Sequence, residues 1–541
     1  MPDYAQRGQP KTLAATILER VRPGLEAHPA RREASAGGFL WQHPFTMPER
    51  ISRRRMLHRA LLVAGGGGAL ACAGCRRPGS AAVSVPCIAR EALVFLWKLA
   101  RATVESARVR TGQPRGGMGP NTTGIDLITP GGNYPAMWTR DFAMSLDSGL
   151  VPPDDILRHV RLLARSQNGQ VERRLASGAV IPPFAVPDHV NLDGSPVFYP
   201  GTYSAGEDQG ADPWGPLPPA DDHFYFVHAA YALWQGTGSA EFLHERIGDW
   251  TLLERLQRAF DSPIADPRTG AVVATPERRA VGFGFQDSVY LLGSMAFATL
   301  LRYRAALQLA ALCRAAGMDA PAARRFEGEA VKVAQHLVPV FADGDGGSGW
   351  LLAATGVGRQ PDVWATLFAL HLGVLPRRAA RRAVETIVGA LTSPGHAIEL
   401  DGALRHVPAN RYYRPDQCWE RGGTRAGSYQ SGAFWHTPTG WLAEALLSHR
   451  PDLAGTVVNR YIQHLMEHDF RKGGGHGAPW ECFGPGMAGA QNPVYLTSVS
   501  LPLSVLAREW PPVTAGSLGL GGVPPCSSAR LRPEWMLASS R

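Results

Sequence analysis

The sequence predicts an all-α chain carrying short β decorations on its loops, with no central sheet. Three observations carry this expectation. From about residue 88 apolar residues recur at intervals of three or four over long stretches, strand-like runs are few and brief, and the helical stretches come in pairs whose connecting loops alternate between short and long. With 541 residues, 45% hydrophobic and 19% charged, the chain has material for a large core. Length alone allows roughly two to four domains.

Residues 51–75, ISRRRMLHRALLVAGGGGALACAGC, open with the twin arginines of Ser52-Arg53-Arg54-Arg55-Met56-Leu57 and continue as an apolar, glycine-rich stretch from Ala60 to Gly74 that ends at Cys75. A membrane span takes about 20 apolar residues. This stretch is shorter and rich in glycine, so it reads as an export signal and resembles a Tat signal. Ala73-Gly74-Cys75 is similar to the end of a lipoprotein cleavage site, but Cys72 stands where that pattern has leucine. Lipidation of Cys75, and with it membrane anchoring, is left open. Because MPERISRRRML makes a normal signal start, residues 47–75 are expected to be the signal and 1–46 a misassigned extension, with a real N-terminal arm as the alternative. The expected location is periplasmic or extracellular. Export implies an oxidising compartment, yet the five cysteines beyond the signal, Cys87, Cys313, Cys418, Cys482 and Cys526, are odd in number and show no CxxC or CxxH spacing. A Cys418–Cys482 bridge stays open, since both flank motifs described below.

Residues 76–119 read as a linker and first helix, and 120–510 as one helical domain of roughly a dozen helices. In 287–317 the series Val289, Leu292, Ala296, Leu300, Tyr303, Leu307, Ala310 steps by three or four, with Asp287 or Ser288 able to cap its start and Gly317 its end. Phe326, Ala330, Val333, Leu337 and Val340 form the next helix. Val363, Leu367, Leu370 and Val374 follow, and after a Pro-Arg break Ala380, Val384, Ile387 and Leu391. The strand-like exceptions are 271–275, 350–355 and 397–407, the last with a hairpin turn at Asp401-Gly402. Helical hairpins at such intervals close either as an open solenoid with a groove or as a ring with a pit. The tail 511–541 has little periodicity and reads as loose.

The formal charge of +9 comes from arginines near the N-terminus and scattered Arg-Arg pairs. No basic block is interleaved with aromatics, so no nucleic-acid partner is expected. His223, His228, His436 and His476 lack the spacing of a metal site, and neither a metal nor another cofactor is expected. Asn121-Thr122-Thr123 fits a glycosylation acceptor, a match read as accidental beside a bacterial-type signal.

The unusual residues gather in loops that precede helices, where functional groups collect on a rigid scaffold. In order these are NYPAMWTRD (133–141), PPADDHFYFVHAAYALW (218–234), GFGFQDSVYLLG (282–293), RYYRPDQCWERGGTRAGSYQSGAFWHTPTGW (411–441) and GHGAPWECFGPG (475–486). Each sets a carboxylate beside an aromatic. Helix capping uses the aspartate but not the tryptophan and arginine around it. A sugar pit uses all of them: flat rings cover the apolar faces of a pyranose, Asp, Arg, Gln and His take its hydroxyls, and two further carboxylates supply acid and base.

Over about residues 120–505 the ordered set WTRD, ADDHFYF, GFQDS, SYQSGAFWHTPTGW and PWECFGPG resembles the six-hairpin (α/α)6 barrel glycosidases, the superfamily of glucoamylase, trehalase, processing α-glucosidase and metal-independent exo-α-mannosidase. The resemblance implies an (α/α)6 toroid. It implies that Trp138, Arg140 and Asp141 clamp the terminal sugar, that Asp287 is the general acid and Glu481 the general base, and that Asp222 contacts substrate. Gln430, Trp435 and His436 would shape the pocket, with Trp480 beside Glu481. The residues after Glu481 depart from the glucoamylase form. Met137-Trp138-x-Arg140-Asp141 and the Asp287 context bring the mannosidases closest.

Local sequence leaves simpler readings open. Asp287 fits the N-cap of the following helix, Glu481 a structural salt bridge with Glu420 its rival as base, Asp221 and Asp222 a solvated cap pair, and Asp141 a buried ion pair with Arg140. The expected function is an exported, exo-acting glycoside hydrolase, with an α-mannoside or α-glucoside favoured and acid/base chemistry giving inversion. A phosphorylase or polysaccharide lyase on the same barrel is one alternative, with Arg421, Arg425 and Ser428 as phosphate ligands. A non-catalytic sugar-binding surface lipoprotein is another.

Overall fold

Twelve α-helices, in two kinds of sequence, build the described part of the chain: α1 Arg90–Ala107, α2 Thr139–Ser145, α3 Pro153–Ser166, α4 Asp221–Thr237, α5 Leu252–Asp261, α6 Ala296–Ala315, α7 Ala320–Phe341, α8 Val363–Leu372, α9 Arg377–Thr392, α10 Thr439–Leu447, α11 Pro451–Glu467 and α12 Thr497–Glu509. The computed structural model describes residues 88–344, 348–394, 397–418 and 424–510. The expected export signal 47–75 with Cys75, the expected extension 1–46, the tail 511–541, Cys87, Cys526, Glu420 and Arg421 lie outside the described residues.

Even-numbered helices are buried nearly all round. Every residue of α2 is buried, and α4 is buried without a break from Asp221 to Leu233. Odd-numbered helices bury one stripe: Ala323, Phe326, Ala330, Val333, Leu337 and Phe341 on α7, Ala383, Val384, Ile387 and Ala390 on α9. A helix apolar on every side belongs in the interior, and one with a single stripe lies over it. The contacts follow this division. α2 packs on α4, α4 on α6, α6 on α8, α8 on α10, α10 on α12, and α12 returns to α2, closing a six-membered inner ring. Outside it α3 covers α4, α5 covers α4 and α6, α7 covers α6, and α9 and α11 cover α10, while α1 closes the circle against α12 and α11. This is the (α/α)6 toroid, and its first helix, set apart with the linker in the sequence reading, is the outer member of the first hairpin.

The alternation of loop lengths gives the ring its functional end. Links from inner to outer helices are the shorter ones, 146–152, 238–251, 316–319, 373–376 and 448–450, whereas links from outer to inner helices are long: 108–138, 167–220, 262–295, 342–362, 393–438 and 468–496. Long loops therefore all feed the N-termini of inner helices. Their β decorations are two-stranded except one sheet of three, in which Ala136–Trp138 pairs with His189–Asn191 and the latter with Pro196–Val197. The hairpin expected at Asp401-Gly402 forms, pairing Glu399–Leu400 with Ala403–Leu404, with both turn residues at positive φ (50° and 80°).

One helix boundary departs from the sequence expectation. The run from Asp287 continues as loop until Ala296, because Gly293 turns at φ 88° and Gly293–Ser294 pairs with Val273–Ala274. A side chain on Gly293 would meet Thr355 Oγ1 at 2.5 Å. Asp287 is thus free of the N-cap role. Cys418 and Cys482 are free thiols and form no bridge, and Asn121 is buried with its amide donated to the Val109 and Ile125 carbonyls. Among the described residues no helix is long and apolar enough to cross a membrane.

Candidate active site

Loops before α2, α4, α6, α10 and α12 enclose a pit of about 280 Å³ whose wall includes Tyr134, Trp138, Arg140, Asp141, Tyr203, Phe285, Asp287, Tyr429, Gln430, Glu481 and Tyr495. Arg140, in the first turn of α2, anchors the floor. Its Nη2 bonds Asp188 Oδ1 at 2.6 Å and Asp222 Oδ2 at 2.9 Å, and its Nε bonds Asp221 Oδ2 at 2.9 Å. Asp221 also accepts from the Gly284 amide at 2.8 Å. Glycine is required there, since a Cβ on Gly284 would fall 1.9 Å from Arg140 Nε. Three carboxylates around one guanidinium cannot all ionise cheaply. Burial, opposed by Arg140 and reinforced by Asp221 and Asp188, pushes the Asp222 carboxyl well above its usual range. Asp188, also buried, is held low by Arg140 and His189.

Next to this cluster Asp141 accepts from the Tyr495 hydroxyl at 2.6 Å, and burial lifts it to about 6 against the pull of Tyr495 and Arg140. Asp287 follows the 3-10 turn Gly284–Gln286 and accepts at Oδ1 from Gln430 Nε2 at 2.8 Å. Gln430 is itself fixed, because its Oε1 accepts from the Ser288 amide and hydroxyl at 2.8 and 2.6 Å. Burial raises Asp287 to about 7, opposed by Arg140 and Gln430. Glu481, on the short strand Trp480–Cys482, accepts at Oε2 from Tyr134 Oη at 3.0 Å and from Asn492 Nδ2, and at Oε1 from Tyr429 Oη at 3.3 Å. Burial raises it to about 7 as well, with Asn492 and Tyr134 pulling the other way and Asp141 and Asp287 adding to the rise. Two carboxyls thus share one pit. One is held by a single amide, the other by three donors.

Trp138, Arg140, Asp141, Asp287, Gln430 and Glu481 of the sequence-predicted set meet in this wall. Four others stand behind it. Asp222 is fully buried beneath Arg140 and does not reach the pit, and neither it nor Asp221 is a solvated cap. Trp435 is wholly buried under the floor, its ring 5.6 Å from Phe285, and His436 pairs its Nε2 with the Asp401 carbonyl at 3.0 Å on the far side of the loop. Trp480 packs with Phe434 and Phe483, as residues alternate sides along the strand that points Glu481 inward. The described members of the phosphate set do not line the pit: Arg425 is exposed, and Ser428 donates to the Arg425 carbonyl at 2.7 Å. Glu481 meets neutral donors in place of a salt bridge.

Sequence reasoning passed over Asp188, Tyr203, Asn492 and Tyr495, and quoted Tyr134 and Tyr429 only as parts of their loops. Their signal was weak: single polar or aromatic residues in long loops. Among the described residues no three His, Cys, Asp or Glu side chains are grouped to hold a metal ion.

No family model and no curated protein matches the chain. Solved structures similar to it include a GH63 mannosylglycerate hydrolase from Thermus thermophilus (15% identity, 76% of this chain and 99% of that one, TM-score 0.44). A glucoamylase from Hormoconis resinae is another (12%, 79% and 75%, TM-score 0.47). A GH78 rhamnosidase from Bacillus sp. GL1 is a third (14%, TM-score 0.46), with 77% of this chain spanning 35% of the enzyme's length. The chain is similar in fold to these six-hairpin glycosidases.

Proposed function

We propose that the chain is an exported, exo-acting glycoside hydrolase that removes one terminal sugar, an α-mannoside or α-glucoside by preference, with inversion. The observation that carries the reading is the asymmetric pair: Asp287, half-buried, and Glu481, buried, line one pit, are both raised to about 7 and differ in what holds them. Donors from Tyr134, Tyr429 and Asn492 favour the ionised form of Glu481, the form a base needs. Asp287 has one amide partner and suits the protonated acid.

In this reading Trp138, Arg140 and Asp141 seat the terminal ring at the closed end, which orients the scissile bond. Asp287 gives its proton to the glycosidic oxygen as that bond breaks, and the aglycone leaves as an alcohol. Glu481 takes a proton from a water whose oxygen bonds the anomeric carbon from the opposite face. Asp287 ends ionised and Glu481 protonated, and exchange with solvent restores both. Inversion calls for a carboxyl separation of roughly 6.5–9.5 Å. A phosphorylase is disfavoured by the wall's acidity: its described cation, Arg140, is already bonded to three carboxylates. Export rests on Ser52–Leu57 and is tested by fractionating cells that express Arg53→Lys/Arg54→Lys, which should retain the protein in the cytoplasm.

The test of the activity incubates the purified protein, with Asp287→Asn and Glu481→Gln beside it, with α- and β-linked mannosides, glucosides and other disaccharides. Hydrolysis by the unmodified protein alone supports the assignment. No hydrolysis, or equal rates in the variants, sinks it, and NMR of the first-formed anomer decides inversion.

A further inference from the structure

We infer that His189 is a positioning residue that holds the Trp138 indole as a fixed sugar platform in register with the Arg140 clamp. The inference rests on the sugar-binding reading of the pit and adds a residue that lies outside its wall.

The backbone sets the pair. Trp138 and His189 are directly opposite in the antiparallel strands Ala136–Trp138 and His189–Asn191, so their side chains leave the sheet on the same face. The rings stack at 4.5 Å between centroids and 20° between planes. Trp138 lines the pit and His189 is wholly buried, so the imidazole covers one indole face from within. Tyr134 meets the indole edge at 4.9 Å and Tyr203 at 5.7 Å, and Tyr203 also closes edge-on over His189 at 5.6 Å.

The other edge of the imidazole joins this platform to the clamp. His189 Nδ1 lies 2.7 Å from Asp188 Oδ2, while Asp188 Oδ1 takes Arg140 Nη2 at 2.6 Å. One carboxylate therefore bridges the ring under the platform and the guanidinium of the clamp. With Nδ1 committed to that bond, Nε2 is left buried without a protein partner. An aliphatic side chain would fill the space without stranding a polar atom. A flat ring with a donor on one edge is what both stacks on the indole and reaches Asp188. If the imidazole is lost, the indole is free to tilt, and the terminal sugar it carries shifts relative to Asp287 and Glu481. Small misplacements of this kind cost large factors in rate.

The test uses p-nitrophenyl α-D-mannopyranoside and p-nitrophenyl α-D-glucopyranoside on the full protein. His189→Ala should raise KM about tenfold or more, with a smaller change in kcat. His189→Phe, which keeps the stack, should bring KM back to within about threefold. In a Trp138→Ala background His189→Ala should add less than about twofold, because its target is gone. Calorimetric binding of the same glycosides to Asp287→Asn should weaken by the same factor on adding His189→Ala, a readout independent of turnover. An unchanged KM in a folded His189→Ala protein, or multiplicative effects in the double variant, overturns the inference. If His189→Ala fails to fold, His189→Phe against His189→Gln carries the comparison, and equal KM values in those two overturn it. Glycosides bound in a His189-dependent way without hydrolysis would refute the hydrolase reading and leave this one standing. Hydrolysis that depends on Asp287 but not on His189 would do the reverse, and no binding at all refutes both.

Discussion

The side-chain amide of Gln430 donates to Oδ1 of Asp287 at 2.8 Å, across 143 residues of sequence. This bond stabilises the ionised carboxyl and so opposes the rise that burial causes. Gln430→Ala should move the Asp287 titration upward. The alkaline limb of the activity profile should shift to higher pH, while kcat falls about tenfold as the acid loses its orientation. A limb that stays in place would show that Gln430 does not act through Asp287.

Activity should follow a narrow bell centred near pH 7. In the proposed mechanism Asp287 has to be protonated and Glu481 ionised, and both carboxyls are raised to about 7. Below that pH Glu481 protonates, above it Asp287 ionises, and each step removes the working form. Each charge acts on the other, so the two apparent values belong to the pair. A profile flat from pH 5 to 9 would contradict this arrangement.

Glu481→Gln should stabilise the fold at pH 8 by about 1–3 kcal/mol and lose that advantage by pH 5. The sign follows from the direction of the shift. A carboxyl raised from 4.5 to about 7 binds its proton in the native state where the unfolded chain has released it. Native stability therefore falls as pH rises through that window, and the amide removes the ionisation that causes the fall. His159 and His223, lowered by burial to about 4, act in the opposite sense, since the unfolded chain gains their protons below about pH 6.5. Denaturant melts of both proteins at pH 5 and 8 check the difference.

Asp222→Asn should be tolerated, with stability changed by about 1 kcal/mol or less, whereas Asp221→Asn should cost about 3 kcal/mol or more. Burial pushes the Asp222 carboxyl toward its neutral form, and asparagine reproduces its shape. Asp221 gives one oxygen to both Arg140 Nε and the Gly284 amide. Equal losses in the two variants would show the charge to be shared differently.

His436→Ala and Trp435→Phe should lower the thermal midpoint and leave KM within about twofold, because both side chains stand behind the wall. A large KM change with unaltered stability would bring either residue back into the pit.

The residues of this chain determine by themselves the twelve amphipathic or fully apolar helices, the alternation of short and long loops, and the motifs that carry Trp138, Arg140, Asp141, Asp287, Gln430 and Glu481 to the pit. Those signals are local: a periodicity of three or four, a glycine turn, a carboxylate next to an aromatic. Tertiary structure decided which neighbours of those residues face inward. Tyr134 and Asn492 meet on Glu481 although 358 positions separate them, and Asp188 joins Arg140 from another loop. Trp435 and His436 share a motif with Gln430 yet turn away, and Trp480 lies on the opposite side of its strand from Glu481. The physical reason is that a loop's facing is set by hydrogen bonds to partners far along the chain, and these exist only once the inner ring has closed. The ionisation of the site belongs to the same level. Asp222, Asp287 and Glu481 are ordinary carboxyls in sequence, and desolvation on closure of the ring pushes all three upward.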